Sequence, residues 1–177
     1  MNTVEKIKKL KEEKNVIILA HYYVDEEVQK IADYIGDSFY LAKVASQTEA
    51  DRIVFAGVEF MGESAKILNP EKKVFMPDAF ADCPMAHMIT IKEIKEMKEK
   101  YEDLAVVCYI NSTAEIKQYA DVCVTSSNAV KIVKALPQKN IFFIPDQNLG
   151  DFVRRQVPEK NVITNYGHCP RHTNITL

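Results

Sequence analysis

The feature that most constrains the fold of this chain is an internal repeat. When His21 is placed over Tyr109, an offset of 88 residues, the two halves of the chain align without a gap over a long stretch. The matched positions are Glu27 with Glu115, Ala32-Asp33 with Ala120-Asp121, Ser38 with Ser126, Lys43 with Lys131, Phe55 with Phe143, Gly62 with Gly150, Pro70-Glu71-Lys72 with Pro158-Glu159-Lys160, and Val74 with Val162. Cys83 and Cys169 then come into register after a two-residue slip. A match of this length indicates duplication of one unit of supersecondary size.

Each copy alternates short apolar runs with amphipathic stretches, which is the pattern of a parallel α/β sheet. The predicted strands are Val16–Ala20, Arg52–Ala56, Lys73–Met76, Leu104–Cys108, Asp121–Val124, Asn140–Ile144 and Asn161–Thr164, and a helix is predicted near Asp25–Tyr34. We therefore predict tandem, pseudo-symmetric, three-layer α/β repeats with short parallel sheets, over residues 1–85 and 86–172. Residues 173–177 are interpreted as the start of a third repeat that this chain does not complete.

The charge balance excludes some classes of partner. A formal net charge of −2 gives no electrostatic reason to expect binding to nucleic acid or to an anionic membrane surface. Met1–Lys14 is charged throughout and lacks the apolar segment of a signal peptide, and no stretch approaches the ~20 apolar residues of a membrane span. We therefore expect a cytoplasmic protein whose four cysteines are core residues, metal ligands or catalytic thiols rather than disulfides.

Polar residues follow the first strand of each copy, where ligands gather in parallel α/β units. Alternation along a strand predicts that His21 and Tyr23 share one side, and likewise Tyr109 and Asn111. Each of these could be a binding or catalytic residue, and for His21 and Tyr23 a satisfied core position is an equal alternative.

Ser38 and Ser126 occupy matching positions after the second strand of each copy, where a helix is expected to begin. The hydroxyl and the backbone N–H groups at such a position could hold a carboxylate or a phosphate. Plain N-capping is the alternative interpretation for either serine taken alone. Their paired placement favours a binding role.

The cysteines divide into two kinds. Cys108 and Cys123 lie inside apolar strands, so both are predicted to be buried core residues. Cys83 and Cys169 lie in loops at matching repeat positions, and each is followed by proline, without the spacing of a zinc ribbon. One such cysteine from each of three repeats would supply three thiolates, which on a four-iron cluster leave one iron open to substrate oxygens.

Several motifs in order across nearly the whole chain resemble the quinolinate synthase family. They are Leu19-Ala20-His21-Tyr22-Tyr23, Ala32-Asp33 with Gly36-Asp37-Ser38, Val54-Phe55-Ala56-Gly57-Val58 with Phe60-Met61, Tyr109-Ile110-Asn111-Ser112, Thr125-Ser126-Ser127-Asn128-Ala129, Pro145-Asp146-Gln147-Asn148-Leu149-Gly150, and Cys169-Pro170-Arg171-His172. The resemblance implies three pseudo-symmetric domains around a [4Fe–4S] cluster with one cysteine from each. It also implies a transferase of NAD biosynthesis that condenses iminoaspartate with dihydroxyacetone phosphate, with an upstream aspartate-oxidising enzyme as a candidate partner.

By that resemblance Cys83 and Cys169 would be two cluster ligands. The implied catalytic residues are His21, Tyr23 and His172, and the implied substrate-binding residues are His21, Ser38, Tyr109, Asn111 and Ser126.

This chain departs from the family at two positions near the first cysteine. Asp82 stands where the family usually has glycine, and His87 stands where it tends to have an acid. Two other readings stay open: a non-catalytic anion-binding or metal-binding α/β fragment whose cysteines hold zinc or nothing, and a structural remnant with exposed repeat interfaces.

Overall fold

The computed structural model of the chain describes residues 2–175 and divides into two compact units. Unit 1 is Met1–Asp82 and unit 2 is Cys83–Leu177. Part of the segment predicted to start a third repeat, residues 176 and 177, lies outside the described residues. The domain bounds predicted from the repeat stay a prediction.

Unit 1 is a four-stranded parallel sheet with helices between the strands. Its elements are α1 Thr3–Glu13, β1 Val16–His21, α2 Glu26–Gln29, β2 Tyr34–Gly36, α3 Ser38–Gln47, β3 Arg52–Ala56, α4 Glu59–Leu68 and β4 Lys73–Phe75. The strand order is β2-β1-β3-β4, and every pairing is parallel. The central strand β1 is buried over its four middle residues, as expected for a strand covered on both faces.

Unit 2 repeats this arrangement. It contains a 3₁₀ helix at Pro84–His87, then α5 Ile91–Lys100, β5 Leu104–Tyr109, α6 Ala114–Lys117, β6 Val122–Val124, α7 Ala129–Ala135, β7 Asn140–Ile144, α8 Gln147–Gln156, β8 Asn161–Thr164 and α9 Pro170–Thr173. The order β6-β5-β7-β8 matches that of unit 1 strand for strand, again with parallel pairing. The predicted tandem parallel α/β fold is therefore confirmed.

The core of unit 2 lies on both faces of its sheet. Val107 and Phe143 belong to one cluster of buried residues, with Val133 and Val153 from α7 and α8. Their neighbours along the same strands, including Cys108, belong to a second buried cluster. Alternate side chains thus enter opposite layers, which is why these strands read as continuous apolar runs.

A carboxylate anchors the first two strands of each unit. Asp33 accepts a hydrogen bond from the backbone N–H of Ile18 at 2.8 Å, and Asp121 accepts one from Val106 at 2.7 Å. The backbone N–H groups of the same two aspartates donate to the same two residues, at 2.8 and 2.9 Å. Asp33 and Asp121 are matching repeat positions, so the duplication is visible in polar contacts as well as in topology.

The helix predicted near Asp25–Tyr34 is too long. The observed helix α2 ends at Gln29, and Tyr34 begins the short edge strand β2. The two hydrogen bonds of Asp33 to Ile18 draw the chain alongside β1, which forces an extended backbone there.

The helices do not suit a bilayer. Within residues 2–175, none is both long enough and apolar enough to cross a membrane.

Candidate functional site

The end of β1 in unit 1 carries the predicted pair His21 and Tyr23. The backbone N–H of Tyr23 donates to Nδ1 of His21 at 3.2 Å, and the two rings pack edge to face with centroids 4.7 Å apart. Because Nδ1 accepts this bond, the neutral imidazole carries its proton on Nε2. The His21 ring is half-buried and the Tyr23 ring is exposed.

Burial is the main influence on the ionisation of His21. It lowers the pKa of the imidazole from its ordinary value of 6.5, and the nearby Asp37 carboxylate opposes that shift. A neutral His21 with a fixed Nε2–H can therefore donate a hydrogen bond to a substrate oxygen at neutral pH.

Ser38 does not cap its helix, contrary to the N-capping interpretation. The N-cap of α3 is Asp37, whose carboxylate accepts a hydrogen bond from the backbone N–H of Tyr40 at 2.8 Å. Ser38 is the first residue of the helix and is half-buried. Asp37 already places a negative charge at the N-terminus of this helix. The backbone N–H groups near Ser38 are therefore less available to bind a ligand anion than expected.

Ser126 is likewise not an N-cap. Helix α7 begins at Ala129 with Asn128 before it, and the Asn128 side chain accepts a hydrogen bond from the backbone N–H of Thr125 at 2.7 Å. Ser126 lies in the preceding turn and is hydrogen-bonded to the Tyr109 side chain instead. The turn between β6 and α7 therefore brings two predicted site residues together.

Tyr109 lies at the end of β5, where three ionisable side chains act on its phenol. Burial, followed by the charges of Asp146, Cys169 and Cys83, raises the pKa of its phenol to about 12, while the interaction with the Ser126 side chain opposes them. At neutral pH the phenol is protonated and can donate to a ligand. Two loop cysteines separated by 86 positions in the chain are thus both close enough to act on one phenol.

Asn111 carries a buried acceptor close to Tyr109 in the chain. Its Oδ1 atom is buried and has no hydrogen-bond partner among the described residues. A buried amide oxygen without a donor is costly, and in native structures such a group calls for an explanation. A ligand N–H or O–H group in this place would satisfy it.

Cys83 and Cys169 have closely similar local structure. Each is half-buried in an extended backbone, and each directly precedes a short helix whose first residue is proline, Pro84 or Pro170. Cys83 ends the first repeat in sequence but belongs to unit 2 in space. Both predicted cluster ligands therefore lie in the same unit.

A polar contact ties together the segments that carry these cysteines. The Asn165 side chain donates from Nδ2 to the carbonyl of Met88 at 2.8 Å, and the His168 N–H lies 3.4 Å from the Met88 sulfur. Gly167 makes the approach possible, because a Cβ there would collide with the carbonyl of Pro145 and press on Asn165. Asn165 thereby fixes the loop before Cys169 against the turn after Cys83.

Asp146 and Asn165 were not selected from the sequence as site residues. Asp146 is buried and caps α8 directly after β7, and Asn165 is buried directly after β8. The rule that ligands gather at the carboxyl ends of parallel strands could have selected both.

The remaining sequence candidates lie apart from these contacts or at the surface. His172 is exposed in α9, and its backbone N–H donates to the Cys169 carbonyl at 3.1 Å. Asp82 and His87 are exposed on either side of the first loop cysteine. Cys108 is buried as predicted, but the prediction for Cys123 is wrong, because β6 is an edge strand and leaves that side chain exposed.

Cys83 and Cys169 are the candidate metal ligands of unit 2. Both influence the pKa of Tyr109, whereas no group of three His, Cys, Asp or Glu side chains suited to a metal ion occurs among residues 2–175. Two thiols suit part of an iron–sulfur ligand set and leave at least one ligand to be supplied from elsewhere.

The fold and these contacts define a class: a duplicated parallel α/β protein with polar strand ends and a pair of loop thiols. The family model described as "NadA: Quinolinate synthetase A protein" matches residues 5–177. The chain is 67% identical over 173 residues to a quinolinate synthase of Fusobacterium nucleatum, covering 98% of this chain and 58% of that protein. It is 55% identical to one of Aquifex aeolicus, over 97% of this chain and 53% of the relative.

A quinolinate synthase of Caldicellulosiruptor saccharolyticus is 54% identical over 97% of this chain and 58% of its own length. The chain therefore belongs to the quinolinate synthetase A family. It spans somewhat more than half the length of the curated relatives that it matches.

Proposed function

We propose that this chain provides the first two repeats of a quinolinate synthase acting in NAD biosynthesis. The reaction would condense iminoaspartate with dihydroxyacetone phosphate and release phosphate and water to form quinolinate. The observation that carries the proposal is the influence of both Cys83 and Cys169 on the pKa of Tyr109, two positions before Asn111 with its buried, unpartnered Oδ1.

Cys83 and Cys169 would hold two irons of a [4Fe–4S] cluster, and a third ligand would come from outside the described residues. When bound, such a cluster with an open iron supplies a Lewis acid for substrate oxygens. The Asn165 contact with Met88 supports this role, because it limits the movement of both cysteine loops.

Tyr109 and Asn111 would recognise polar substrate groups. The high pKa of Tyr109 keeps the phenol protonated, so it can donate a hydrogen bond to a carboxylate or carbonyl oxygen. Asn111 Oδ1 would accept from a substrate N–H or O–H group. Ser126 holds the phenol in place through its hydrogen bond, and its hydroxyl is exposed.

His21 and Tyr23 would serve the same reaction from unit 1. Neutral His21 presents an Nε2–H donor, which suits the polarisation of a carbonyl group or the delivery of a proton to a leaving oxygen. Tyr23 orients the imidazole through its backbone N–H, and its phenol is accessible to substrate. Ser38 would add a hydroxyl for a substrate carboxylate, and the exposed His172 would act in proton transfer.

The proposal is tested by purifying the chain without oxygen, reconstituting it with iron and sulfide, and measuring iron content beside the visible spectrum. About four irons per chain, with the visible absorption of an iron–sulfur cluster, are expected when solvent or a second copy of the chain supplies the remaining ligand. Cys83→Ala and Cys169→Ala should each lose both signals. Cys123→Ala is the matched control, because it removes an exposed cysteine outside the loop pair, and it should keep them.

A quinolinate assay of the reconstituted chain follows a positive result. Iron that is substoichiometric and unaffected by the loop substitutions would overturn the cluster assignment. Colourless protein that holds zinc through the same two cysteines would favour the alternative, a non-catalytic metal-binding or anion-binding α/β fragment.

A further inference from the structure

The two cysteines that the proposed reaction does not use lie side by side in the sheet of unit 2. Cys108 in β5 and Cys123 in β6 are register partners, so both side chains leave the same face of the sheet. Neighbouring strands are about 4.8 Å apart, and disulfides span Cα separations of roughly 4.4–6.8 Å. Each of the two thiols shifts the pKa of the other, which places their side chains close together.

The two cysteines differ sharply in their surroundings. Cys108 is fully buried in an apolar cluster that includes Ile94 and Phe142. Its sulfur lies 3.4 Å from the carbonyl oxygen of Tyr109. Cys123 is exposed on the edge strand. A reagent in solution therefore meets Cys123 first, with Cys108 directly behind it.

The electrostatics of the pair favour ionisation of the outer thiol. The hydrogen bond from Cys108 lowers the pKa of Cys123, and the Lys117 ammonium on α6 lowers it further, against the opposing effect of burial. The same hydrogen bond and burial raise the pKa of Cys108. The pair thus resembles the arrangement of reactive thiols, in which one sulfur is a thiolate and its neighbour remains a thiol.

Two lysines of α5 interact with neighbouring groups. Lys98 lies 3.5 Å from the carboxylate of Asp121, and Lys95 lies 5.6 Å from the ring centre of Tyr119. The charge of Lys117 on α6 acts on both thiols.

We propose that Cys123 and Cys108 form a reversible redox site for hydroperoxides, with Cys123 as the nucleophile and Cys108 as the resolving thiol. The Cys123 thiolate attacks one peroxide oxygen, the O–O bond breaks, and hydroxide leaves and takes up a proton as water. The resulting sulfenic acid is attacked by the Cys108 sulfur, an S–S bond forms, and a second water leaves. The two thiols lose two electrons, which reduce hydrogen peroxide to water.

Oxidation of this pair would change the backbone next to Tyr109 in the candidate site. Tyr109 follows Cys108 directly, and its register partner Val124 follows Cys123. The Ser112 hydroxyl donates to the Tyr109 carbonyl at 3.1 Å, and the Cys108 thiol donates to the same carbonyl at 3.4 Å. A bond between the two sulfurs would draw β5 and β6 together beside Tyr109. Cys108 and Cys123 are not the proposed cluster ligands, so the redox proposal and the cluster proposal are independent of each other.

The test treats the metal-free chain with hydrogen peroxide and maps its cysteines by mass spectrometry without reduction. The expected product is a Cys108–Cys123 disulfide that a dithiol reductant reverses. In Cys108→Ala, Cys123 should instead be trapped as a sulfenic acid by a dione reagent and should proceed to the sulfinic acid. In Cys123→Ser, Cys108 should stay reduced.

Iodoacetamide alkylation followed against pH supplies a second measurement that needs no disulfide. Cys123 should react several-fold faster at neutral pH in the unchanged chain than in Lys117→Met or Cys108→Ala, because each change removes a group that stabilises the thiolate. Circular dichroism checks that each variant is folded. Equal alkylation rates in all three proteins would overturn the proposal, as would absence of the disulfide together with unchanged over-oxidation in Cys108→Ala.

Discussion

The two units share their scaffold but not their strand ends. Lys72 and Lys160 occupy matching repeat positions, and each donates hydrogen bonds to backbone carbonyls at the end of a preceding helix. Lys72 donates to Ala45 at 3.1 Å and to Thr48. Lys160 donates to Leu136 and, at 2.8 Å, to Gln138. Such cations complement the negative end of a helix. Duplication has thus kept contacts that serve the fold.

The ends of β1 and β5 have diverged instead. In unit 1, burial lowers the pKa of His21, and the charge of one carboxylate, Asp37, opposes that shift. At the matching position in unit 2, the pKa of Tyr109 is raised by burial and by the charges of Asp146 and the two loop cysteines. The comparison teaches that the repeat specifies where a site lies, whereas individual side chains specify its chemistry.

The largest effect is expected from truncating the matched core aromatics. Phe55 and Phe143 are 1% and 0% exposed, so Phe55→Ala and Phe143→Ala should each lower the free energy of unfolding by about 3–5 kcal/mol. Urea unfolding followed by circular dichroism measures both. Similar losses support equivalent cores, and a loss below about 0.5 kcal/mol in either variant would break the equivalence.

The matched carboxylate anchors should be the next most sensitive. Asp33→Asn and Asp121→Asn each remove a charged acceptor from a strand N–H, with an expected cost of about 1–3 kcal/mol. Asp33→Asn should cost more, because its partner Lys11 is at 2.7 Å and Lys98 is 3.5 Å from Asp121. Lys11→Met isolates the ion pair and should cost no more than about 1 kcal/mol. Equal losses in the free energy of unfolding for Asp33→Asn and Asp121→Asn would contradict this prediction.

A smaller effect on stability, but a specific one, is expected from Asn165→Ala. Loss of its hydrogen bond to Met88 should lower stability by about 1 kcal/mol. It should also weaken retention of the proposed iron–sulfur cluster at Cys83 and Cys169 by about tenfold, as changes around metal ligands commonly do. Iron retained by the reconstituted protein at increasing concentrations of a chelator measures this. Asn161→Ala, which breaks an exposed bond to Asn140, is the control, and an equal loss of affinity there would contradict the role of Asn165.

The smallest effect concerns the titration of His21. Asp37 raises its pKa against burial, so Asp37→Asn should lower that pKa further, while asparagine can still cap α3. Because the folded pKa lies below the ordinary value of 6.5, this group's contribution to stability is present above pH 6.5 and is lost as pH falls through the folded pKa. NMR titration of the imidazole measures the shift, and an upward movement would contradict the assignment.

Much of the fold could be predicted because each element occurs in both copies, so that the sequence of one copy supports the prediction made for the other. Strand β6 was predicted within Asp121–Val124, whereas its counterpart β2 was missed inside a predicted helix, although the 88-residue offset places Asp33–Gly36 on that strand. Three-residue edge strands carry too little periodicity to be recognised alone. Their position depends on hydrogen bonds from Asp33 and Asp121 to a neighbouring strand.

The candidate site could be predicted only in part. The strand-end rule found Tyr109, but no local pattern shows that Cys83 joins unit 2 or that Asn165 binds Met88, since these contacts depend on long-range packing. The exposure of Cys123 depends on β6 being an edge strand, which an apolar run does not reveal.

The most direct test of the central claim is the pKa of Tyr109 in metal-free protein, measured by NMR with ¹³C-labelled tyrosine and assigned with Tyr109→Phe. The value should be about 12 in the unchanged chain and should fall in Cys83→Ser/Cys169→Ser, because burial and Asp146 remain but the two thiols no longer oppose ionisation. Stability should correspondingly be lost as pH rises above about 10, where an unfolded tyrosine ionises and the buried one does not. A pKa that stays unchanged in the double variant would contradict the convergence of the two cysteines on Tyr109.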